Sequence, residues 1–202
     1  MHNITFNLQG LHRHGTAFYE YLALRKHFFV DALGWDIPHD ERVEMDQYDN
    51  PLAWYSLVLR DGAVVGGART MATTARWGGH SYMLRDALCG KLEDIPASAM
   101  PGDVCTPAVW ECTRLVISDE VRGAGDRREC LDLIVDGLTR VARDNGAREL
   151  MSLSPLTLQR ALRGLGFDVH LMGDRYRDAE DGRMYAVMAM PVEKRVTLMA
   201  AE

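Results

Sequence analysis

The order of strand and helix patterns is the feature of this sequence that most limits the folds available to it. Alternation of apolar and polar residues predicts strands, and a 3.6-residue apolar period predicts helices. The predicted strands are residues 4–8, 53–60, 63–73, 109–118, 149–153, 167–172 and 184–192. The predicted helices are residues 15–33, 82–92, 126–144 and 156–165. This order predicts an α/β fold, a mixed, mostly antiparallel sheet flanked by helices, in a single domain over residues 1–202.

Turn signals support this division. Asp61-Gly62 separates two strand patterns, which is a strong hairpin signal. Residues 93–107 contain Pro96, Pro101 and Pro107 and are therefore predicted to form a loop or lid. The sequence shows no internal repeat, linker or low-complexity tract.

Composition excludes several classes of function. The net charge of −6 provides no excess of cations for a nucleic-acid backbone. No apolar run approaches the length of a membrane span, and the N-terminal residues lack the pattern of a signal peptide, so a cytoplasmic protein is expected. The four cysteines show no C-x-x-C spacing, which favours reduced thiols over a zinc site. We expect no metal and no cofactor.

The first long helix carries a charge on its apolar face. Phe18, Leu22, Arg25 and Phe29 are three or four residues apart, so they share one side of a helix. Arg25 interrupts this apolar stripe with a permanent positive charge. A buried cation without a partner is costly, so Arg25 is expected to bind a carboxylate or a ligand.

The segment after this helix offers such partners. Gly34 can end the helix, Trp35 follows, and Glu44, Asp46 and Asp49 lie within six positions of one another. A cationic helix face, an indole and three carboxylates suit a ligand that carries both charge signs and an aromatic base.

Two later strands add charged residues. Arg69 lies in the second strand of the hairpin, next to a pair of glycines that leave room beside it. Glu111 and Arg114 lie three apart in the central strand, so in a regular strand they would point to opposite faces. If both serve one pocket, a β-bulge must separate them, and the bulge would open a cleft for a carbonyl group. Without a bulge, Arg114 would be a packing or ion-pair residue.

Four segments together resemble one protein family. They are LRKHFFVDALGW at residues 24–35, the E-x-D-x-x-D pattern at 44–49, GGARTM at 66–71 and WECTRLVI at 110–117. In this order they resemble the acyl-homoserine-lactone synthases, the autoinducer synthases of bacterial quorum sensing. The resemblance implies a GNAT-like (acetyltransferase-like) fold and an acyltransferase. Such an enzyme joins an acyl group, from acyl carrier protein or coenzyme A, to S-adenosylmethionine, then closes the lactone and releases methylthioadenosine.

The resemblance also implies roles for individual residues. Arg25, Phe29 and Trp35 match positions that shape the S-adenosylmethionine pocket, and Ser152 falls where preference at the acyl C3 position is partly set. The matching charged positions around the reacting centre are Glu44, Asp46, Asp49, Arg69, Glu111 and Arg114. Of these, Glu44 or Glu111 is the candidate base, with Asp46 and Arg114 also counted as catalytic and Asp49 and Arg69 as substrate-binding. Thr113 replaces the usual Ser and Leu115 the usual Phe, which affects no charged group.

Three features remain open at this stage. Arg160 and Arg163, with Arg143 and Arg148, form either a basic patch for an acidic carrier protein or an ordinary solvated surface. Residues 121–127 match a phosphate-binding glycine turn only in part. The candidates for an apolar acyl slot, or for plain core, are Met151, Leu153, Leu171, Met172, Met184 and Met188.

Two other functions fit the same fold. One is a GNAT-type N-acyltransferase that uses acyl-coenzyme A on a different amine, and the other is a non-catalytic ligand-binding module. The residues leave undetermined the acyl chain length, the oxidation state at C3, the carrier, the oligomeric state and the cognate receptor.

Overall fold

The computed structural model describes residues 1–92, 95–100 and 102–195, and their strands form one sheet. The strands are β1 (His2–Asn7), β2 (Trp54–Arg60), β3 (Ala63–Ala72), β4 (Val109–Ile117), β5 (Glu149–Pro155), β6 (His170–Leu171), β7 (Tyr176–Arg177) and β8 (Met184–Pro191). The α-helices are α1 (Ala17–Arg25), α2 (Met83–Leu88), α3 (Ala124–Asp144) and α4 (Leu156–Gly164). Short 3₁₀ turns occupy Leu8–Arg13 and Ala97–Ala99, and π-helical turns span Lys26–Ala32.

The sheet is mixed and mostly antiparallel, as predicted. Its strand order is β1-β2-β3-β4-β5-β8-β6, and β7 also pairs with β8. Among these pairs, β4 with β5 is parallel, and the others are antiparallel. The strands β4 and β5 lie at the centre of the sheet. They are parallel because the chain passes from β4 to β5 through helix α3, and such a crossover is how parallel neighbours are connected.

The two faces of the sheet bury separate apolar clusters. Helices α3 and α4 cover one face, where Ile134, Leu150 and Met188 are buried. Helix α1 covers the other face, where Tyr21, Tyr55 and others are buried. Residues of β5 and β8 alternate between the two clusters, as expected for strands with helices on both sides.

The predicted helix at 15–33 is present, with a change of pitch. All four residues of its predicted inner face, Phe18, Leu22, Arg25 and Phe29, are buried. From Lys26 onwards the helix widens, and the Leu33 N–H donates to the Phe28 carbonyl five residues earlier. This wider turn brings Phe28 and Leu33 to the same side of the helix, where both line the cavity described below.

Two predicted elements differ in length. The predicted strand at 167–172 is wrong in extent, because only His170–Leu171 pairs with β8. Its apolar residues Phe167 and Val169 are buried in the core without strand pairing, and burial alone explains their composition. The helix at 82–92 ends at Leu88, and Gly90, at φ +73°, turns the chain so that the Lys91 N–H reaches the Asp86 carbonyl.

Other expectations concern turns and thiols. Asp61 and Gly62 both have positive φ, which is the geometry of the predicted tight hairpin. Of the predicted loop at 93–107, residues 93, 94 and 101 lie outside the described residues. All four cysteines are unpaired thiols. Among the described residues, none of the helices combines the length and the apolar character needed to cross a membrane.

Candidate active site

Strand β4 contains a bulge at Arg114. Its register with β3 pairs Thr113 with Arg69 and Val116 with Gly67, so β4 has one residue more than β3 in this interval. Arg114 has a φ of +57°, a left-handed conformation that is uncommon for residues other than glycine. The Tyr21 hydroxyl donates a 2.8 Å hydrogen bond to the Arg114 carbonyl. The sequence required a bulge only if Glu111 and Arg114 serve one pocket, and the register places one immediately after Thr113, at Arg114 and Leu115.

The bulge lies where β4 and β5 separate. The two strands pair from Val109 with Glu149 to Glu111 with Met151, the last pair in their register. Beyond it, residues 112–117 of β4 and 152–155 of β5 both line one cavity of about 930 Å³. Within the described chain no strand lies between them there. The backbone groups of β4 that face the gap are therefore available to a ligand.

The cavity has two chemically different compartments. One is aromatic and charged, and its wall includes Phe28, Phe29, Trp35, Asp46, Arg114 and Tyr185. The other extends between the sheet and helices α3 and α4, and its wall includes Leu131, Val135, Leu138, Leu162, Met188 and Met190. Ser152 and Ser154 of β5 also line the cavity, and their hydroxyls are 3.1 Å apart.

Behind the first compartment lies a buried cluster of ions. Arg25 is fully buried; its Nε lies 2.5 Å from Glu44 Oε2, and its two terminal nitrogens bind both oxygens of Asp49 at 2.9 Å. Arg69 is also fully buried and binds both oxygens of Asp46, at 2.5 and 3.1 Å. These bidentate pairs satisfy the requirement for buried charges to be matched.

Arg114 connects this cluster to the cavity. Its Nη2 lies 2.9 Å from Asp46 Oδ2, and its Nε lies 3.2 Å from Glu44 Oε2. Three arginines thus balance three carboxylates. Arg114 and Asp46 line the cavity, whereas Arg25, Glu44 and Asp49 lie behind its wall. The cluster brings together Arg25 and the charged residues predicted around the reacting centre, except Glu111.

The charges of the cluster set the acidity of its carboxyl groups. Burial alone would raise the pKa of Asp46, but the nearby Arg69 and Arg114 guanidinium groups outweigh burial and hold the pKa well below its usual range. Burial would likewise raise the pKa of Asp49, and Arg69 and Arg25 lower it. Both groups are therefore ionised at neutral pH, and neither is suited to accept a proton.

Glu111 occupies a separate position at the start of α2. Its carboxylate oxygens accept hydrogen bonds from the backbone N–H groups of Met83 and Leu84, both at 2.8 Å. The side chain is buried, and this burial raises the pKa of Glu111 to about 7, against the opposing effect of the two N–H groups. Glu111 lies behind the cavity wall, to which Met83 contributes. Its pKa suits a general base near neutral pH.

Aromatic rings complete the first compartment. Phe29 and Trp35 stack with ring centroids 5.0 Å apart. The Arg114 guanidinium lies over the Phe29 ring, 5.5 Å from its centroid. The indole nitrogen of Trp35 is buried and has no hydrogen-bond partner among the described residues. A buried N–H without a partner is costly, so this donor is suited to an acceptor on a bound ligand.

The cavity also includes residues that the sequence analysis did not assign to the site, among them Tyr48, Arg127 and Arg128. Tyr48 lines the cavity with its ring 5.7 Å from the Arg69 guanidinium, and its position between Asp46 and Asp49 was the available signal. Arg127 and Arg128 line the cavity at the start of α3, next to the partial glycine turn. No sequence rule distinguished them from other surface arginines.

The predicted carrier patch is only partly free for binding. Arg160 is exposed on α4. Arg163 donates two hydrogen bonds to the Val169 carbonyl, at 3.2 and 2.7 Å, which fix the chain after α4. Of the acyl-slot candidates, Met151, Leu153 and Met188 line the main cavity.

Comparison with known proteins identifies the family. The family model for autoinducer synthases matches residues 10–197. The chain belongs to the autoinducer synthase family. It is 30% identical over 162 residues to an acyl-homoserine-lactone synthase of Acinetobacter nosocomialis, which covers 76% of this chain and 81% of the relative. The chain is therefore an acyltransferase that makes an acyl-homoserine lactone.

Solved structures of synthases share its fold. TofI, in a ternary complex with an inhibitor and MTA, superposes with a TM-score of 0.72 at 24% identity, over 96% of this chain and 92% of TofI. The coenzyme A-dependent synthase BjaI, with MTA, gives 0.76 at 18% identity, over 94% of this chain and 82% of BjaI. These similarities confirm the predicted GNAT-like fold of the autoinducer synthases.

Proposed function

We propose that this synthase acylates the α-amine of S-adenosylmethionine with a fatty acyl thioester and then closes the homoserine lactone. The observation that carries the proposal is the single cavity in which a charged, aromatic compartment joins an apolar one at the bulge of Arg114. S-adenosylmethionine has a carboxylate, two cationic groups and an adenine ring, and a fatty acyl group has none of these. Each substrate matches one compartment.

The charged compartment suits the amine substrate. Arg114 supplies a cation at the cavity wall for the substrate carboxylate, and Asp46 supplies an anion for the ammonium or sulfonium group. Phe29 and Trp35 offer ring faces for adenine or for the sulfonium. Arg25, Glu44, Asp49 and Arg69 hold these groups in place from behind the wall.

Acylation requires a free amine. An α-ammonium group has a pKa of about 8, so removing its proton near neutrality costs only about 1 kcal/mol. We assign this proton to Glu111, with a water molecule as the relay, because its carboxyl group has a pKa of about 7 and lies behind the wall. Glu44, the other candidate base, is engaged by two arginines.

The acyl transfer itself uses the gap in the sheet. The amine nitrogen attacks the thioester carbonyl carbon, and backbone N–H groups of β4 facing the gap stabilise the resulting oxyanion. The intermediate then expels the thiolate, which takes up a proton as the second amine proton leaves. In the next step the substrate carboxylate attacks its own γ-carbon, and the carbon–sulfur bond breaks to release methylthioadenosine. This step depends mainly on positioning, and the scheme uses no metal or cofactor.

The thioester donor is expected to enter at the start of α3. Arg127, Arg128 and the helix N-terminus line this end of the cavity and suit a phosphate-bearing pantetheine arm. Arg160, on the neighbouring α4, remains our candidate contact for an acidic carrier protein. Both acyl carrier protein and coenzyme A carry this arm.

The apolar compartment is long. Its wall follows α3 from Ala124 to Leu138, which is about 21 Å at 1.5 Å per residue. Each carbon adds less than one bond length, about 1.5 Å, to the length of an extended acyl chain. Leu150 and Met190 line the deep end, whereas the Ser152 and Ser154 hydroxyls lie nearer the gap. We therefore propose a medium- to long-chain acyl group.

Replacing Leu138 with Phe tests the length of this compartment. The larger ring is expected to fill the deep end, so kcat/KM for long acyl donors should fall roughly 10-fold, about 1.4 kcal/mol, while short donors react as before. The measurement is kcat/KM across a series of acyl chain lengths. Leu133→Phe, on the same helix but outside the cavity wall, is the control. An equal loss for all donors would contradict the assignment.

Mass spectrometry of a complete reaction tests the function. Purified protein with S-adenosylmethionine and a panel of acyl thioesters is expected to yield an acyl-homoserine lactone and methylthioadenosine in equal amounts. Acylation of another amine, with S-adenosylmethionine intact, would instead support the general N-acyltransferase. Binding of S-adenosylmethionine without turnover by any donor would support the non-catalytic module. In the cell, we place the enzyme in the cytoplasm as the source of a quorum-sensing signal.

A further inference from the structure

Asp86 of α2 is the centre of a polar network beside the active site. Its carboxylate is almost fully buried and accepts hydrogen bonds from the Ser81 hydroxyl at 2.6 Å and the Ser81 backbone N–H at 3.1 Å. His80 Nδ1 lies 3.0 Å from Asp86 Oδ2, and Lys91 Nζ lies 3.4 Å from Oδ1. The fifth contact comes from the Tyr48 hydroxyl, at 3.2 Å.

Tyr48 connects Asp86 to the buried ion cluster. Its hydroxyl binds Asp86, its backbone N–H donates to Asp46 Oδ1 at 2.9 Å, and its ring lies over the Arg69 guanidinium. The ring itself forms part of the cavity wall. A change in the position of Tyr48 would therefore move Asp46, one of the two residues of the ion cluster that line the cavity.

Helix α2 is a fixed support for this contact. Glu111 of β4 binds its first backbone N–H groups, and Asp86 lies one turn later on the same helix. The acidic segment, residues 44–49, contains a tight turn. In this turn the Asp46 N–H donates to Asp49 Oδ2, and the Asp49 N–H donates to the Asp46 carbonyl. Tyr48 is thus a link between a rigid helix and a tight turn that carries two of the paired carboxylates.

We propose that Asp86 is a positioning residue that acts through Tyr48 to hold Asp46 and Arg114 in the geometry that binds S-adenosylmethionine. This inference rests on the proposed function. Asp86 does not line the cavity, so it acts on the substrate only through its neighbours. Burial would raise the pKa of Asp86, but the hydrogen bonds from Ser81 and His80 and the nearby Lys91 ammonium group lower it.

The test compares three variants with the wild type: Asp86→Asn, Tyr48→Phe and the double variant. Each single change removes or weakens the bond between Tyr48 and Asp86 with little change of shape. For each we expect a roughly 10- to 100-fold lower kcat/KM for S-adenosylmethionine, from loss of a hydrogen bond to a charged group, and an unchanged KM for the acyl thioester. The double variant should be no worse than the more impaired single variant.

Asp103→Asn is the matched control. Asp103 pairs with Arg85 of the same helix, at 2.7 Å, but on the exposed surface. The same chemical change there should leave both kinetic constants unaltered. Additive losses in the double variant, or a fall in thermal stability with no selective effect on S-adenosylmethionine, would show that Asp86 only stabilises α2 and would overturn the proposal.

Hydrogen exchange of the ligand-free protein separates this inference from the proposed function. Asp86→Asn should speed exchange of the Asp46, Tyr48 and Asp49 amides, whose hydrogen bonds close the turn, whatever the enzyme's substrates are. Unchanged exchange at these amides would refute the positioning role. Failure of the wild type to use S-adenosylmethionine would refute the proposed function and leave this result to decide the role of Asp86.

Discussion

Replacing Arg69 with Met is expected to cost about 3–5 kcal/mol of folding free energy and to abolish lactone synthesis. Arg69 is fully buried, and its guanidinium binds Asp46 in bidentate fashion and approaches Asp49 Oδ1 at 2.8 Å. Methionine fills a similar space but leaves the cluster with three carboxylates and two arginines. The uncompensated buried charge, rather than the lost contacts, produces most of the cost.

Equilibrium unfolding in urea measures this effect. Arg60→Met in the adjacent strand β2 is the control, because Arg60 forms a largely exposed ion pair with Asp126 at 2.9 Å, and such pairs contribute at most about 1 kcal/mol. Equal losses for the two variants would show that the buried cluster is no more sensitive than a surface pair. Activity should be followed with the folded fraction held near one, at low temperature or with ligand.

The same variant should respond differently to acid. The pKa values of Asp46 and Asp49 are lowered in the folded protein, so their contribution is complete above the unfolded pKa of about 4 and is lost as pH falls through the folded values. Loss of Arg69 raises both pKa values towards normal. The difference in stability between wild type and Arg69→Met should therefore shrink below about pH 4. A difference that stays constant in acid would contradict this account.

Sequence patterns were sufficient to predict which side chains of the first helix are buried and that β4 needs a bulge if Glu111 and Arg114 share one pocket. The periodicity of Phe18, Leu22, Arg25 and Phe29 placed a charge on a buried helix face, and the structure buries all four. The spacing of Glu111 and Arg114 required a bulge if both served one pocket, and the β3–β4 register contains it. Both predictions use only local geometry, because the repeat of a helix or strand decides which side chains share a face.

The pairings between distant residues were beyond such reasoning. The cluster matches Arg25 with Asp49 and Arg69 with Asp46, a choice made by the packing of α1 against β3 and not by any spacing in the sequence. The partners of Glu111 are backbone N–H groups of α2, and every residue except proline has such a group. The sequence therefore carries no signal that distinguishes Met83 and Leu84 from other donors.

Replacing Glu111 with Gln is expected to lower kcat by about 10²–10⁴-fold while the protein stays folded, because a general base contributes about that much. The amide can accept one of the two backbone N–H bonds but not both, so about 1–3 kcal/mol of stability should also be lost. The measurements are lactone formation at saturating substrates and urea unfolding. Glu149→Gln, at the start of β5 and partly exposed, is the control.

The pH dependence decides whether Glu111 is a base or only a cap for α2. As a base with a pKa of about 7, it should give the wild type an acidic limb near that pH, whereas the variant should keep only the limb of the substrate amine, near pH 8. Stability gives a second sign. A carboxyl group with a raised pKa lowers stability as pH rises from about 4.3 to about 7, and Gln removes this slope. A different result would contradict the role as a base. If Glu111→Gln lowers the rate but leaves its pH profile as in the wild type, while the pH dependence of stability disappears, then Glu111 only supports α2. The proton of the amine must then go to another group.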